Sequence, residues 1–400
     1  LEKRKSVAIN FSGVFILLPI LLLSAAGFTV ITTEFLIVGL LPGMARDLHV
    51  TVSQAGLLVT LFAFTVATTG PFLTAFFNRI ERKRLFVWTL VLFGLSNMLA
   101  ALAPNIELIA IARLVPALAL PVFWSLASET AVDLIGPERA GRAISMITFG
   151  IVCATVFGIP VGALIADALG WRSAFGVLGI LAFAKALMLL AFFPTTRVKK
   201  QHISVMRQFR ILRDPVIAGH VLLSILVFTG MFTAYTYLAD MLERLAGFNG
   251  AMVGWSLMAF GAIGLIGNSL GGRLVDRSPL GTSLLFSGLM ALGMLALAPS
   301  MSTRWGMAGT LGVWSISQAA MFIVCHVRLM KAAPEAPAFA ASLNISGANL
   351  GVGLGAIIGG SVIDSFGIDK LGFAAGAIVG LSLVLAFMML SVNRAPSGQT

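Results

Sequence analysis

Charge is scarce in this chain: only 11% of its 400 residues are Asp, Glu, Lys or Arg, against about 25% in a soluble globular protein. A large soluble core cannot explain the deficit, because solvated surface grows with any such core. Tyrosine is almost missing as well, two against twenty-nine phenylalanines, which suits lipid-facing and bundle-packing surfaces. The two cysteines, Cys153 and Cys325, both lie in apolar segments, which argues against a disulfide framework or a metal site. No Gly-x-x-x-x-Gly-Lys nucleotide loop occurs and no soluble stretch is large enough to hydrolyse ATP. Any work would therefore draw on a gradient. No convergent nucleophile, base or metal set is visible, so neither an enzyme nor a cofactor is expected.

What the chain has is apolar residues, 58% of the total, in blocks of about 18 to 25, the length that crosses ~30 Å of hydrocarbon as helix. Backbone groups in lipid must pair within their own segment, so these blocks are helices. Twelve spans are predicted, at residues 14–41, 54–77, 85–103, 107–134, 143–168 and 173–193, then 216–242, 251–275, 280–299, 305–329, 338–363 and 371–392. The first block follows Lys3, Arg4 and Lys5 and runs past signal-peptide length without a small-residue cleavage site. It reads as a span, not a cleaved leader.

A net charge of +11 would suggest nucleic acid in a soluble protein. Here the basic residues read as topology signals, and no nucleic-acid partner is expected. With the N-terminus inside, twenty Lys and Arg fall in inner loops and five (Arg46, Arg172, Arg244, Arg304 and Lys370) in outer ones, while Arg113 and Lys185 fall within spans. Positive charge concentrates on the cytoplasmic side, which predicts both termini in the cytoplasm. The longest polar stretch, 194–215, is a basic linker that divides the chain into six-helix bundles at 1–193 and 216–400. Each half carries a basic loop between its second and third spans, at 78–84 and 273–278. The expected fold is an all-α membrane protein with twelve transmembrane helices in two pseudo-symmetric bundles flanking a central site.

The second of those loops reads Gly272-Arg273-Leu274-Val275-Asp276-Arg277, and through it the chain resembles the major facilitator superfamily over essentially its whole length. The reading of this motif is that Gly272 lets two helices approach and Asp276 pairs with a loop arginine such as Arg277, latching one conformation. The first-half copy is degenerate, with Thr74 for the glycine and Asn78 for the aspartate. Gly150, Gly158, Pro160 and Gly162 in the fifth span look like the glycine-and-proline motif of the antiporter branch. They read as a bend beside the cavity or as a simple tight helix contact. Thr32 to Pro42, Ala45 to Leu48, Gln54 to Gly56 and Pro334 to Gly351 are similar to the bacterial arabinose and sugar efflux branch of the drug:proton antiporters. The resemblance implies a major-facilitator-type fold in a bacterial inner membrane and export of a small solute against protons. Relatives of that branch often carry a histidine in the fourth span. Here the run is Ala119-Leu120-Pro121-Val122-Phe123-Trp124, so no role of that histidine carries over.

An ionisable residue near the middle of a span costs at least ~2.5 kcal/mol and is a functional hypothesis by default. Glu34, in the outer half of an otherwise apolar first span, reads as a proton or substrate carboxyl, or as a structural carboxylate bonded to a neighbouring helix. Arg113, at similar depth in the fourth span, is either its coupling partner, directly or through water, or an arginine held by backbone carbonyls. Glu129 and Asp133, four residues apart, share one face near the inner end of that span. They form an inner gate with Arg142 or the basic loops, or an inner-face charge cluster. Asp240 and Glu243 read as outer-gate or interface groups, His326 and Arg328 as interface residues near the cytoplasm, and Lys185 as either snorkelling or facing the cavity. Candidate substrate-binding groups are Trp124, Tyr235, Tyr237, Asn268, Gln318, Asn344 and Asn349, with Trp314 as a second aromatic face. The function expected is proton-coupled efflux of a small solute (a sugar, nucleoside, amino-acid derivative or drug) by alternating access, in a monomer. The alternatives are a uniporter or proton-coupled importer of the same fold, or a membrane receptor without turnover.

Overall fold

A computed structural model describes residues 2–77, 80–136, 140–195, 213–334 and 337–394. All regular structure among them is helical. In chain order the helices are α1 (Glu2–Leu48), α2 (Val52–Phe77), α3 (Arg82–Leu102), α4 (Ile106–Ile135), α5 (Ala140–Cys153), α6 (Ile159–Leu169) and α7 (Trp171–Phe192). They continue as α8 (Pro215–Tyr235), α9 (Leu238–Ala246), α10 (Gly250–Val275), α11 (Pro279–Leu295), α12 (Leu297–Ser300), α13 (Arg304–Ala332), α14 (Pro337–Phe366) and α15 (Leu371–Arg394). Among the described residues, eleven helical runs are long and apolar enough to cross a membrane, and Pro279–Leu295 is a shorter apolar helix where the ninth span was expected. Its 17 residues make about 26 Å of helix, just under the hydrocarbon thickness. Residues 196–212 of the predicted linker, and Asn78 and Arg79 of the first basic loop, lie outside the described residues.

Side-chain caps start several helices where the sequence changes from polar to apolar. Glu81 accepts from the Lys83 and Arg84 amides at the start of α3, and Asn105 accepts from Leu108 N at 3.0 Å before α4. Asn249 and Ser278 do the same before α10 and α11. These bonds satisfy amides that have no partner inside the helix. Gly136 and Gly170, at φ 103° and 84°, end α4 and α6 in a conformation that a side chain disfavours.

Two spans are interrupted. Pro160 has no N–H, so the Val156 carbonyl loses its usual donor. The ladder shifts to a π turn over Ala154–Gly158, where Ile159 N donates to Ala154 O five residues back. The predicted seventh span, continuous in the sequence reading, breaks between α8 and α9 at Thr236 and Tyr237. Non-helical backbone at membrane depth persists only where protein or a polar cavity repairs it. Here Tyr237 N donates to Ala234 O at 3.1 Å.

The contacts divide the chain into two compact units, residues 1–36 with 69–203 and residues 37–68 with 204–400. In the first unit α3 packs on α4 and α7, and α4 on α5. In the second α8 packs on α14 and α15, α10 on α13, and α11 on α13 and α15. Lipid tails are as apolar as leucine, so such contacts rest on close packing rather than on the hydrophobic effect. Small residues supply it. Gly351, Gly355 and Gly359 of α14 abut the backbone of α8 at Ile225, Thr229 and Thr233, and Gly267 and Gly271 of α10 abut Ile316 and Ala320 of α13.

Candidate functional site

In the first unit, α1 is the hub. Gly150 lies against the Ser24 backbone, Gly158 against Thr32 and Gly162 against Leu36, so three of the singled-out glycines seat α5 and α6 along one stripe of α1. Buried Pro160 belongs to the same stretch. Trp124 of α4 is half-buried and packs edge-on to Phe123, with its indole against Gly27 of α1.

Glu34 and Arg113 meet on this helix. Both are buried, 8% and 2% exposed. Arg113 Nη1 donates to Thr33 O at 3.2 Å and Nη2 to Glu34 O at 2.9 Å. These bonds run to main-chain oxygens, the second of the two arrangements anticipated for this arginine, while the Arg113 charge still acts on the Glu34 carboxyl. Asn97 of α3 joins the group by donating to Thr33 Oγ1 at 3.0 Å. Lys185 of α7 does not snorkel. Its ammonium donates to Ala25 O and Thr29 Oγ1, both at 2.6 Å, and stands 4.7 Å from the Phe28 ring centroid. Residues 25, 29 and 33 lie on one face at helical spacing, so a polar line runs along α1 from Lys185 to Asn97 and Arg113. Asn97 and Thr33 were not anticipated from the sequence. An Asn in an apolar run is the signal that points to them.

In the second unit, Tyr235, Phe260 and Trp314 pack as a ring cluster, with centroids 5.3–6.5 Å apart. Trp314 is fully buried, and neither its Nε1 nor the Gln318 Oε1 one turn further along α13 has a hydrogen-bond partner. A donor and an acceptor left open beside an aromatic wall suit an uncharged ligand with a flat face. Phe260 was the member not anticipated.

The remaining candidates separate from this cluster. Tyr237 donates to Ala356 O at 2.7 Å, and its ring fills the space over Gly56, Gly359 and Gly360, which makes it a packing pillar. Asn344 accepts from Ser224 at 2.9 Å, Asn349 donates to Ile345 of its own helix, and Asn268 is half-buried on α10.

Two ion pairs occupy matching places in the halves. Arg82, at the start of α3, holds Glu129 of α4 at 3.0 Å, and Asp276, at the end of α10, meets Lys331 of α13 at 2.8 Å. The acid and the base are exchanged between them. The partner of Asp276 is thus Lys331 rather than the loop's Arg277, which is exposed. The close helix approach expected at Gly272 also falls elsewhere. A side chain there would meet nothing within 4 Å, whereas Gly271 is the residue in contact. Asp133 is exposed, and the side chain of Arg142 is outside the described residues. Near the ends of α1 and α9, Arg46 pairs with Glu243 at 2.6 Å and Arg244 with Asp240 at 3.3 Å.

Long apolar helices that carry ionisable and polar side chains on buried faces make up a polytopic membrane transporter. The chain belongs to the Major Facilitator Superfamily, whose family model matches residues 23–340. It is 30% identical to the inner membrane transport protein YdhP of Escherichia coli O157:H7 over 371 residues, 92% of this chain and 95% of that one. It is 29% identical to a protein of Helicobacter pylori strain P12 named "Probable sugar efflux transporter", over 95% of this chain and 97% of the relative. The structure of a D-xylose–proton symporter aligns with a TM-score of 0.77 over 94% of this chain and 97% of that one, at 18% identity, a likeness of fold.

Proposed function

We propose that this transporter exports a small, uncharged or weakly polar solute in exchange for protons, by alternating access in a bacterial inner membrane. Both termini face the cytoplasm, and the working unit is the monomer. The observation that carries the reading is Glu34, a carboxyl buried in α1 with the Arg113 guanidinium beside it and that guanidinium anchored on the Thr33 and Glu34 carbonyls. A carboxyl that alternates between neutral and ionised forms is the simplest proton carrier. Arg113 supplies the counter-charge for the ionised form, and the main-chain oxygens hold the arginine when the carboxyl is neutral. Proton uptake then biases which state of the transporter is populated, because the two states differ in affinity for the proton. Tyr235, Trp314 and Gln318, which lie together in the second unit, take the solute. The name of the Helicobacter pylori relative supports export of a sugar-like cargo.

Flux into and out of proteoliposomes with an imposed pH gradient tests the reading, after a thermal-shift screen of sugars, nucleosides, amino acids and lipophilic cations has chosen the cargo. Wild-type protein drives solute against the proton flow. Glu34→Gln retains solute exchange but no longer responds to the gradient. Unchanged coupling in that variant refutes the role of Glu34. Solute moving with the protons makes the protein an importer, and saturable binding without flux makes it a receptor.

A further inference from the structure

A second polar cluster, remote from the residues used above, lies where α8, α13 and α14 meet. The sequence reading placed Arg328 at the inner end of its span as an interface residue. The structure buries it instead, 1% exposed. Both N–H bonds of Nη2 are used, to His220 O at 3.1 Å and Ser224 Oγ at 2.9 Å. Among the described residues Nε and Nη1 meet no nitrogen or oxygen acceptor, and the only further side chain within bonding reach of the guanidinium is the weakly accepting Cys325 sulfur. His220, 6% exposed, is within electrostatic reach of Arg328, and its Nδ1 is equally without a partner. The other neighbours are neutral: Ser224, which donates to Asn344, and the Cys325 thiol one turn earlier on α13. Ile217, Leu329, Phe339 and Leu343 form an apolar layer next to the cluster.

A guanidinium surrounded only by neutral groups in a low-dielectric interior is held at high cost unless something neutralises it. No ion pair among the described residues does so. The open nitrogens of Arg328 and His220 can all donate, His220 in its Nδ1–H tautomer, and buried donors on residues held side by side by the Arg328–His220 main-chain bond favour an anion. We infer that Arg328 and His220 form a binding site for a small monovalent anion. It is separate from the solute site, since ten residues of α13 between Gln318 and Arg328 span about 15 Å. The anion neutralises the buried charge and joins α8 to α13. Its chemistry is that of a halide or a carboxylate group, and the inference does not depend on proton coupling.

The purified full-length protein is melted in buffers of equal ionic strength in which gluconate is replaced by chloride or by acetate. Ligand that binds only the folded form raises the melting temperature saturably. The expected result is a rise of at least about 2 °C in wild type and no rise in Arg328→Gln. A response to chloride alone assigns an inorganic ion, and a response to acetate alone assigns a carboxylate-bearing ligand. Identical melts in all three salts, or a shift retained in Arg328→Gln, overturn the site. If Arg328→Gln fails to fold, crystals of wild type soaked in bromide, or in bromoacetate where acetate alone raised the melt, decide: anomalous density against Arg328 and His220 is expected, and its absence overturns the inference. Density without a stabilising shift is an adventitious ion only and overturns it too.

Discussion

Trp314 Nε1 and Gln318 Oε1 are buried without hydrogen-bond partners, and the proposed solute role turns on those two open atoms. A buried N–H with no acceptor costs about 1–3 kcal/mol, and a solute that supplies the acceptor recovers it. Trp314→Phe should therefore melt close to wild type, since the lost orphan donor offsets the packing given up by the smaller ring. Its affinity for the transported solute should fall roughly 5–30-fold, the loss of one hydrogen bond worth about 1–2 kcal/mol. Titration calorimetry and a thermal melt on the same preparation check both halves, and unchanged affinity would remove Trp314 from the site. Glu34 and Arg113 were legible in the sequence because a charge in an apolar run is conspicuous. Arg328 was not, because an arginine four residues from the end of α13 ordinarily snorkels to the interface. Only the packing of α8 and α14 shows that it is covered.

At the scale of elements, the glycines divide by what they touch. A Cβ on Gly150 would meet the Ser24 carbonyl of α1, and backbone cannot move aside as a flexible side chain does. Gly150→Ala should lose about 1–3 kcal/mol through overpacking. Gly272→Ala, with open space around it, should gain about 0.5–1 kcal/mol from the better helix former. Melting temperatures ordered Gly150→Ala, wild type, Gly272→Ala are the expected outcome, and equal melts for the first two would mean that α5 and α1 tolerate separation. Hydropathy placed nearly every span, because length and apolarity suffice for that. The break at Thr236 and Tyr237 escaped it because Ala234-Tyr235-Thr236-Tyr237-Leu238 contains neither glycine nor proline. The signal is tertiary, the Tyr237 hydroxyl reaching Ala356 and its ring filling the gap over three glycines. The π turn had a local cause in Pro160, but a proline alone does not say whether a helix will kink or shift its ladder.

For the whole molecule, the twelve-span plan follows from composition, while the grouping of 37–68 with 204–400 does not, since covalent order is silent on where a helical hairpin packs. Among the contacts that hold this segment within its unit, Thr60 Oγ1 donates to Gly353 O at 3.1 Å, the Tyr237 ring lies over Gly56, and Arg46 meets Glu243 at 2.6 Å. The first two are buried and the third is not, Arg46 being 68% exposed and Glu243 19%. An exposed pair contributes only about 0.2–1 kcal/mol and is screened by salt. Reversing one charge, as Arg46→Glu or Glu243→Arg, should lower stability by a comparable amount through like-charge repulsion, and the double reversal should recover it. With the double reversal recovered, the coupling energy from the four melts is the sum of the two single losses and should stay below ~2 kcal/mol, about a thirtyfold change in an equilibrium constant, and should shrink in ~1 M salt, where charges are screened within about 3 Å. Additive single effects would show that Arg46 and Glu243 do not act as a pair, leaving packing contacts such as those of Thr60 and Tyr237 to hold the segment.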